Sequence, residues 1–422
     1  MVFIGPGPDD IEITPEALRY LRSLGNTATI SDITLFPQLL PGPYALVKQV
    51  LREVWKLVDD SNGTCMATLR PLSNFALPSR IISEAAHSSP IGGLRVLVDD
   101  NIHLKGIKTA MGNKAVDNTR PPPTKSAECI QQLVDLGVVV AGKTRMTPFG
   151  NLESPTESPG CQTPRNPRGD GYQLPGEGGS GGACAIAAYE WLDIAIVTDT
   201  WGSLTRCSLR CGCFSLRPSI GVLPTEGAEP SWDTPGILAR DMQKFRDFAD
   251  DWLDLDALDN RKPFSSIIWP IDFWNMMDPA QTEIARTFAQ VMRRVLAVTL
   301  EDISFEQMWA TSPPSEACGL WMEAFMNPAT AAMAYEVYHS NDEFCVEGQE
   351  LFHEAPNTGV PNESLWSIGK TVCKAYRDAG FQRIDIYKKW FYDTIFAGNR
   401  SNALIVLPLE TISQIHWDKP PT

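Results

Sequence analysis

The residues that could do chemistry are gathered in one stretch. Gly176 to Gly221 reads GEGGSGGACAIAAYEWLDIAIVTDTWGSLTRCSLRCGCFSLRPSIG. Two turns rich in Gly and Ser, Gly178-Gly179-Ser180-Gly181-Gly182 and Trp201-Gly202-Ser203, flank a small-residue helix and a short apolar strand. A tight turn that presents a serine can bring a nucleophile and backbone N–H donors to one reacting carbonyl. The glycine run alone is a weak signal, since such runs are often linkers. Followed at once by a compact helix, it fits an anion or oxyanion cradle.

Other candidate sites carry less. Gly137-Val-Val-Val-Ala-Gly142-Lys143-Thr144 matches the phosphate-loop pattern letter for letter. That pattern needs a strand before it, a glycine-rich loop inside it and a helix after the lysine. Here a helix precedes, the interior is β-branched and Pro148 follows, so nucleotide binding is not expected. Cys207, Cys211 and Cys213 lack the pairwise spacing and the second distant pair of a zinc site, and core packing is expected instead. None of the five histidines sits in a nucleophile elbow, which leaves a Ser-His-Asp triad open; His87 is expected on a solvated loop.

The elements that position the serine follow from periodicity. Gly92–Val98 reads as a strand ending in the turn Asp99-Asp100-Asn101. Thr124 is expected to cap a helix burying Ala127, Ile130, Leu133 and Val134, with Gly137 closing it at C′. Residues 138–141 form a buried strand, and 151–174 a long loop. Ala183–Tyr189 is a tightly packing helix, Ile194–Val197 a strand, Thr198–Ser203 a turn and Ser208–Phe214 a helix. Ala45–Val58 has helical spacing. Asp278-Pro279 starts a helix expected to carry Ile284, Phe288, Val291, Met292 and Val295 inward. Further helices are expected over Leu365–Tyr376 and Ile384–Ile395, and a last strand over 401–407.

The 422 residues suffice for a large α/β domain or two domains. At 43 % hydrophobic and 21 % charged the composition is globular. A net charge of −15, without a basic cluster, excludes nucleic acid as an expected partner. No signal peptide or membrane span is read, so the cytoplasm is the expected location and the ten cysteines are expected reduced.

Three ordered blocks resemble the amidase signature family, its fungal amidase-like members included. Pro90-Ile91-Gly92-Gly93-Leu94-Arg95-Val96-Leu97-Val98-Asp99-Asp100-Asn101, with Lys105-Gly106, is similar to P-L-x-G-x-P-x-x-V-K-D-N…K-G. Gly142-Lys143-Thr144-Arg145-Met146 is similar to G-K-T-N-M, which also accounts for the false phosphate loop. From Thr163-Pro164-Arg165-Asn166-Pro167 onward the chain resembles T-x-N-P, P-G-G-S-S-G-G, G-T-D-T-G-G-S-I-R-x-P-A-x-x-C-G and G-L-K-P-T-x-G. The likeness covers roughly residues 90–240 well.

The resemblance implies one domain: an α/β/α sandwich with a mixed, twisted central sheet flanked by helices. Residues 1–89 would be an N-terminal helical part, 90–240 the signature core and 241–422 a shortened helical part. It implies hydrolysis of a small carboxamide, or an ester, without metal or cofactor, by a serine nucleophile, a bridging serine with a cis peptide, and a neutral lysine. Carried over by position, Ser203 is the nucleophile; Thr200, Trp201, Gly202 and Ser203 form the oxyanion turn; and Ser180 is the supporting second serine. The bridging serine falls on Gly179 and the lysine on Asp99. Gly179 has no hydroxyl to pass a proton, and Asp99 is shorter than lysine, although a water in the space left by the missing hydroxyl would connect it to Ser203. Trp201 would crowd the acyl site. Losing base and relay costs on the order of 10³ or more in rate. The resemblance further implies a substrate pocket that the short C-terminus leaves incomplete or that a partner fills, and a homodimer is among the assemblies it allows. Three functions stay open: an impaired hydrolase, a non-catalytic binding protein, or a different reaction in a secondary-metabolite pathway with Asp99 as acid or base.

Overall fold

A computed structural model describes residues 50–67, 74–80, 89–151, 164–230, 233–254, 262–342 and most of 344–410, with isolated elements before residue 50. The expected loop position of His87 lies outside these residues, as does most of the first half of the 151–174 loop. The chain divides into two compact units, one within residues 1–257 and one within 258–414.

The described residues at the start of the first unit include four strands, with Pro15, Arg19, Arg22 and Ser23 helical between the first two. β1 (Val2–Gly5), β2 (Thr29–Asp32), β3 (Gly42–Val47) and β4 (Val50–Glu53) form a four-stranded sheet in the order β2-β1-β3-β4. β5 (Lys56–Asp59) pairs with β7 (Asn74–Leu77), and β6 (Cys65–Ala67) lies between them in sequence. The helix expected over Ala45–Val58 is therefore β3, β4 and β5. Val47 and Val50 have helical spacing, but the structure pairs them across β3 and β4. The β-branched Val47, Val50, Val54 and Val58 favour the pleated alternative.

The sheet that organises the unit has six strands: β6; β8 (Arg95–Asp99); β9 (Val139–Thr144); β10 (Ile194–Asp199); β11 (Phe214–Leu216); and β12 (Thr234–Ala239). Their order is β11-β12-β10-β8-β9-β6. β8 runs parallel to β9 and β10, while β6, β11 and β12 pair antiparallel, so the sheet is mixed as expected. Between them the chain forms α1 (Lys114–Thr119), α2 (Glu128–Asp135), α3 (Ser180–Ala188), α4 (Thr205–Cys211) and, after β12, α5 (Met242–Trp252). Alternation along the strands sends Val96, Val98, Ile194, Ile196 and Ile237 to one face, against Ile130 and Leu133 of α2 and Phe248 and Trp252 of α5. Leu97, Ala195, Val197 and Leu238 point to the other face, against Ala183, Cys184 and Ile186 of α3 and Cys207 and Cys211 of α4. This is an α/β/α sandwich. The phosphate-loop look-alike is strand β9, continuous through Gly142-Lys143-Thr144.

Three local details differ from expectation. Ala127 occupies the N-cap of α2 without a side-chain bond, so Thr124 does not cap it, and Val134 is exposed rather than buried. The helix expected over Ser208–Phe214 starts and stops one turn earlier, as α4. Gly212 ends it with φ of 64°, and Phe214 already opens β11. Gly137 does follow α2 with φ of 83°, in the left-handed region glycine tolerates.

In the second unit β13 (Ser266–Pro270) pairs in parallel with β14 (Thr299–Ile303) and with the two-residue β15 (Leu404–Ile405), which is all that forms of the strand expected at 401–407. The helices are α6 (Ile271–Trp274), α7 (Pro279–Leu296), α8 (Phe305–Thr311), α9 (Met322–His339), α10 (Val360–Thr371) and α11 (Lys374–Thr394). The helix expected over Leu365–Tyr376 is split between α10 and α11, and the one expected over Ile384–Ile395 is the second half of α11. Asp278 caps α7 by accepting from Ala280 and Gln281 N–H, with Pro279 at N1, as expected. Its inward face is not the expected one. Ile284, Phe288, Val291 and Val295 are 73, 60, 41 and 77 % exposed, and the buried residue is Ala289. Ala289 is buried with Trp269 of β13 and Trp274 of α6, and the larger apolar side chains lie off that face.

Candidate active site

β8, β9 and β10 deliver their C-terminal ends to one region. Asp99 closes β8 opposite Thr144 of β9. Its buried carboxylate accepts from Asp100 N–H at 3.0 Å and from Thr144 Oγ1 at 3.1 Å, both through Oδ1. Burial pushes the Asp99 carboxyl up to about 7, and these hydrogen bonds only partly oppose it. Lys143, fully buried, donates to the carbonyls of Asp100 (2.9 Å) and Lys108 (3.1 Å) and to Thr109 Oγ1 (2.9 Å), and pairs with Asp100 at 3.4 Å. It braces the 100–109 loop. Burial pushes Lys143 down and Asp100 up, against their mutual attraction.

The turn after β10 is held by Asp199, the last residue of that strand. Its carboxylate accepts N–H bonds from Gly202 (2.8 Å), Leu204 (3.1 Å) and Thr205 (3.1 Å), and from Thr205 Oγ1 (3.2 Å). On the other side Asp233 accepts from Thr198 Oγ1 at 3.0 Å and from Thr200 Oγ1, and Asn101 donates to Thr198 Oγ1 at 2.7 Å. Burial raises the Asp233 carboxyl to about 7. The Gly202 N–H of the expected oxyanion turn is thus committed to Asp199. The N–H groups of Trp201 and Ser203 have no acceptor among the described residues. Trp201, expected to crowd the acyl site, is 47 % exposed.

Ser203 meets the head of α3. A Cβ on Gly178 would lie 2.3 Å from Ser203 Oγ, so only glycine fits there, and φ at Gly178 is +68°. Gly179 N–H donates to the Ser203 carbonyl at 3.3 Å. Thr147 fixes Gly178 from both sides, accepting from its N–H at 2.7 Å and donating its own N–H to the carbonyl at 3.1 Å. Ser180 is fully buried, and its hydroxyl has no partner among the described residues. The structure therefore brings Ser203 together with Gly178, Gly179 and Thr147. It places Asp99 at the end of β8, the strand that lies between β9 and β10. The space expected beside Gly179 for a water is filled: a Cβ on Gly179 would sit 2.0 Å from Val197 Cγ1. Among the described residues the cis peptide is Glu229–Pro230, not Gly178–Gly179. No group of His, Cys, Asp or Glu among the described residues is arranged to hold a metal ion. Cys207 and Cys211 are buried in the core under α3.

A family model described as Amidase matches residues 46–306. The chain belongs to the amidase family. A glutamyl-tRNA(Gln) amidotransferase subunit of Haloarcula marismortui is 33 % identical over 144 residues, 34 % of this chain and 33 % of that relative. The same subunit of Leptospira interrogans is 28 % identical over 242 residues, 53 % of this chain and 49 % of that relative. The chain thus matches between 30 and 49 % of the length of such curated relatives. Among solved structures, a crystal structure of an amidase superposes with a TM-score of 0.55 at 22 % identity, covering 71 % of this chain and 64 % of that one. An inhibitor-bound structure from a vestigial protein complex, described as revealing the origins of an s-triazine catabolic enzyme, gives 0.60 at 19 % identity, covering 78 and 70 %. At these identities the structural likeness establishes the amidase fold and nothing finer. No helix among the described residues is long and apolar enough to cross a membrane.

Sequence reasoning missed Asp199, Thr147 and Val197. Asp199 had a signal: an aspartate three residues before a glycine turn commonly caps the turn's amides. Val197 had one too, because the family motif G-T-D-T-G-G-S has glycine where this chain has Val197. Thr147 had none, since its bonds to Gly178 join positions far apart in sequence.

Proposed function

We propose that this amidase-family chain hydrolyses the C–N bond of a small carboxamide, or a small ester, through Ser203, slowly and without the family's lysine–serine relay. The observation that carries this reading is the Ser203 turn itself, ordered by the Asp199 carboxylate and seated against Gly178, with the Trp201 and Ser203 N–H groups uncommitted among the described residues. In this scheme Ser203 Oγ attacks the carbonyl carbon, its proton passes to a base, and the amine or alcohol leaves carrying a proton. Water then cleaves the acyl ester. Asp99 titrates near pH 7, but Val197 Cγ1 stands 2.0 Å from the Cβ position of Gly179, where a bridging hydroxyl would be carried, so in this reading the proton passes to a solvent water instead of to Asp99. The substituted Lys and bridging-Ser positions predict a rate on the order of 10³ or more below that of an intact relay.

Labelling with a fluorophosphonate probe tests the reading. The parent is expected to label slowly, Ser203→Ala not at all, and Asp99→Asn at the same slow rate as the parent. Equal labelling of the parent and Ser203→Ala would remove Ser203 from the chemistry. A second reading, a non-catalytic carboxamide-binding protein, is favoured by Val197 occupying the relay's place. It predicts no labelling in the parent together with calorimetrically detectable binding of small carboxamides.

A further inference from the structure

The relay position is not merely vacant of a hydroxyl. Val197 is fully buried on β10, and its two methyl groups face the first turn of α3. Cγ1 lies 2.0 Å from where a Cβ on Gly179 would be, and Cγ2 lies 2.6 Å from where a Cβ on Gly182 would be. Gly179 and Gly182 are three residues apart, so they share one face of the helix. The valine therefore sits as a knob in a two-glycine notch. A β-branched side chain has little freedom at χ1, so it cannot swing out of the notch.

The family pattern has the opposite arrangement at these two positions. It carries serine where this chain has Gly179, and glycine where this chain has Val197. Large and small have changed places across one contact. We infer that Gly179 and Val197 are a coupled exchange, in which the Val197 side chain takes the volume of the bridging serine and closes the path by which a proton would pass between residue 99 and Ser203. Val197 is thus a residue that sets the reaction without touching substrate. This rests on the reading of Ser203 as the reacting hydroxyl only for its effect on rate; the steric exchange stands independently.

The experiment is a double-mutant cycle with two readouts. Thermal midpoints are measured for the parent, Gly179→Ser, Val197→Gly and the double variant. Gly179→Ser alone is expected to lower the midpoint by about 5 °C or more, because a buried overlap must be relieved. Val197→Gly alone also lowers it, by leaving a cavity. The double variant is expected to lose less than the sum of the two. Gly179→Ala and Gly179→Ala/Val197→Gly repeat the test without the hydroxyl. If Gly179→Ser yields no folded protein, recovery of folded protein in the double variant is the expected result. Losses that add, or a Gly179→Ala variant as stable as the parent, overturn the inference.

The second readout is fluorophosphonate labelling in an Asp99→Lys background. Labelling is expected to rise about tenfold or more with Gly179→Ser/Val197→Gly and not with Gly179→Ser alone. Equal labelling of those two variants overturns the claim that Val197 closes the path. Sub-additive stability losses with no labelling anywhere leave the exchange standing and remove the hydrolase reading of Ser203.

Discussion

The Asp99 carboxyl makes a prediction about stability that does not depend on turnover. Its folded-state value of about 7 lies above the ordinary 3.8, because burial disfavours the charge. Between roughly pH 4 and 7 the folded chain holds a proton that the unfolded chain has released. The stability that this proton represents is full below about pH 4 and lost as pH rises through about 7. At about 1.36 kcal/mol per pH unit the loss amounts to about 4 kcal/mol over that window. Asp99→Asn removes the titration and little else, since Oδ1 is the atom that accepts from Asp100 N–H and Thr144 Oγ1, and an asparagine oxygen can replace it. Urea unfolding of parent and variant from pH 4 to pH 8 is the assay. The two should agree near pH 4, and the variant should be the more stable by up to about 4 kcal/mol at pH 8. Asp233 titrates in the same direction but is present in both proteins, so the difference isolates Asp99. Parallel profiles, or a variant less stable at pH 8, would refute the assignment of a buried, protonated Asp99.

Asp199→Ala strands three N–H groups and a hydroxyl in a buried turn and is expected to cost about 3 kcal/mol in urea unfolding, with Asp199→Asn falling between. Asp193 gathers Arg80, Lys244 and the Arg95 N–H, and although burial pushes its carboxyl up, these partners hold it below the usual range. Its contribution is therefore present above about pH 4 and lost as pH falls through the depressed value, so Asp193→Asn should flatten the acid limb of the stability profile. On α7, Phe288→Gln and Val295→Gln should shift stability by no more than about 0.5 kcal/mol, whereas Ala289→Leu should cost about 1–3 kcal/mol by overpacking. Thermal melts of the three variants check this.

The core of the fold was legible because two periodicities agree. Alternating Val, Ile and Leu in β8 and β10, followed by small-residue helices, can only be a sheet covered on both faces. The strand at β9 was legible against its own phosphate-loop letters, because three β-branched residues will not make a glycine-rich cradle. The N-terminal strands were not legible, since the spacing of Val47 and Val50 fits a helix face as well as a cross-strand pair, and the choice is made by pairing with β1 elsewhere in the chain. The face of α7 failed for the reverse reason. Its apolar stripe is real, but the face that packs on Trp269 and Trp274 carries Ala289, and a stripe of residue types does not tell which face is covered.

Within the site, what the sequence showed and what it hid differ in kind. Substitutions at single positions, such as Asp99 for lysine and Gly179 for serine, are visible one position at a time. They suggest a gap that water could fill. The contact between Gly179 and Val197 joins α3 to β10 across the sheet face, and only the three-dimensional structure shows that the gap is occupied. A glycine in place of a catalytic serine reads as a loss. A glycine in place of a serine facing a valine in place of a glycine reads as a repacked site, complementary on both sides. Such a pair is hard to revert by one substitution, because either single reversion leaves an overlap or a hole. The energetics of close packing then keep this chain away from the family's relay even where the serine and its turn persist.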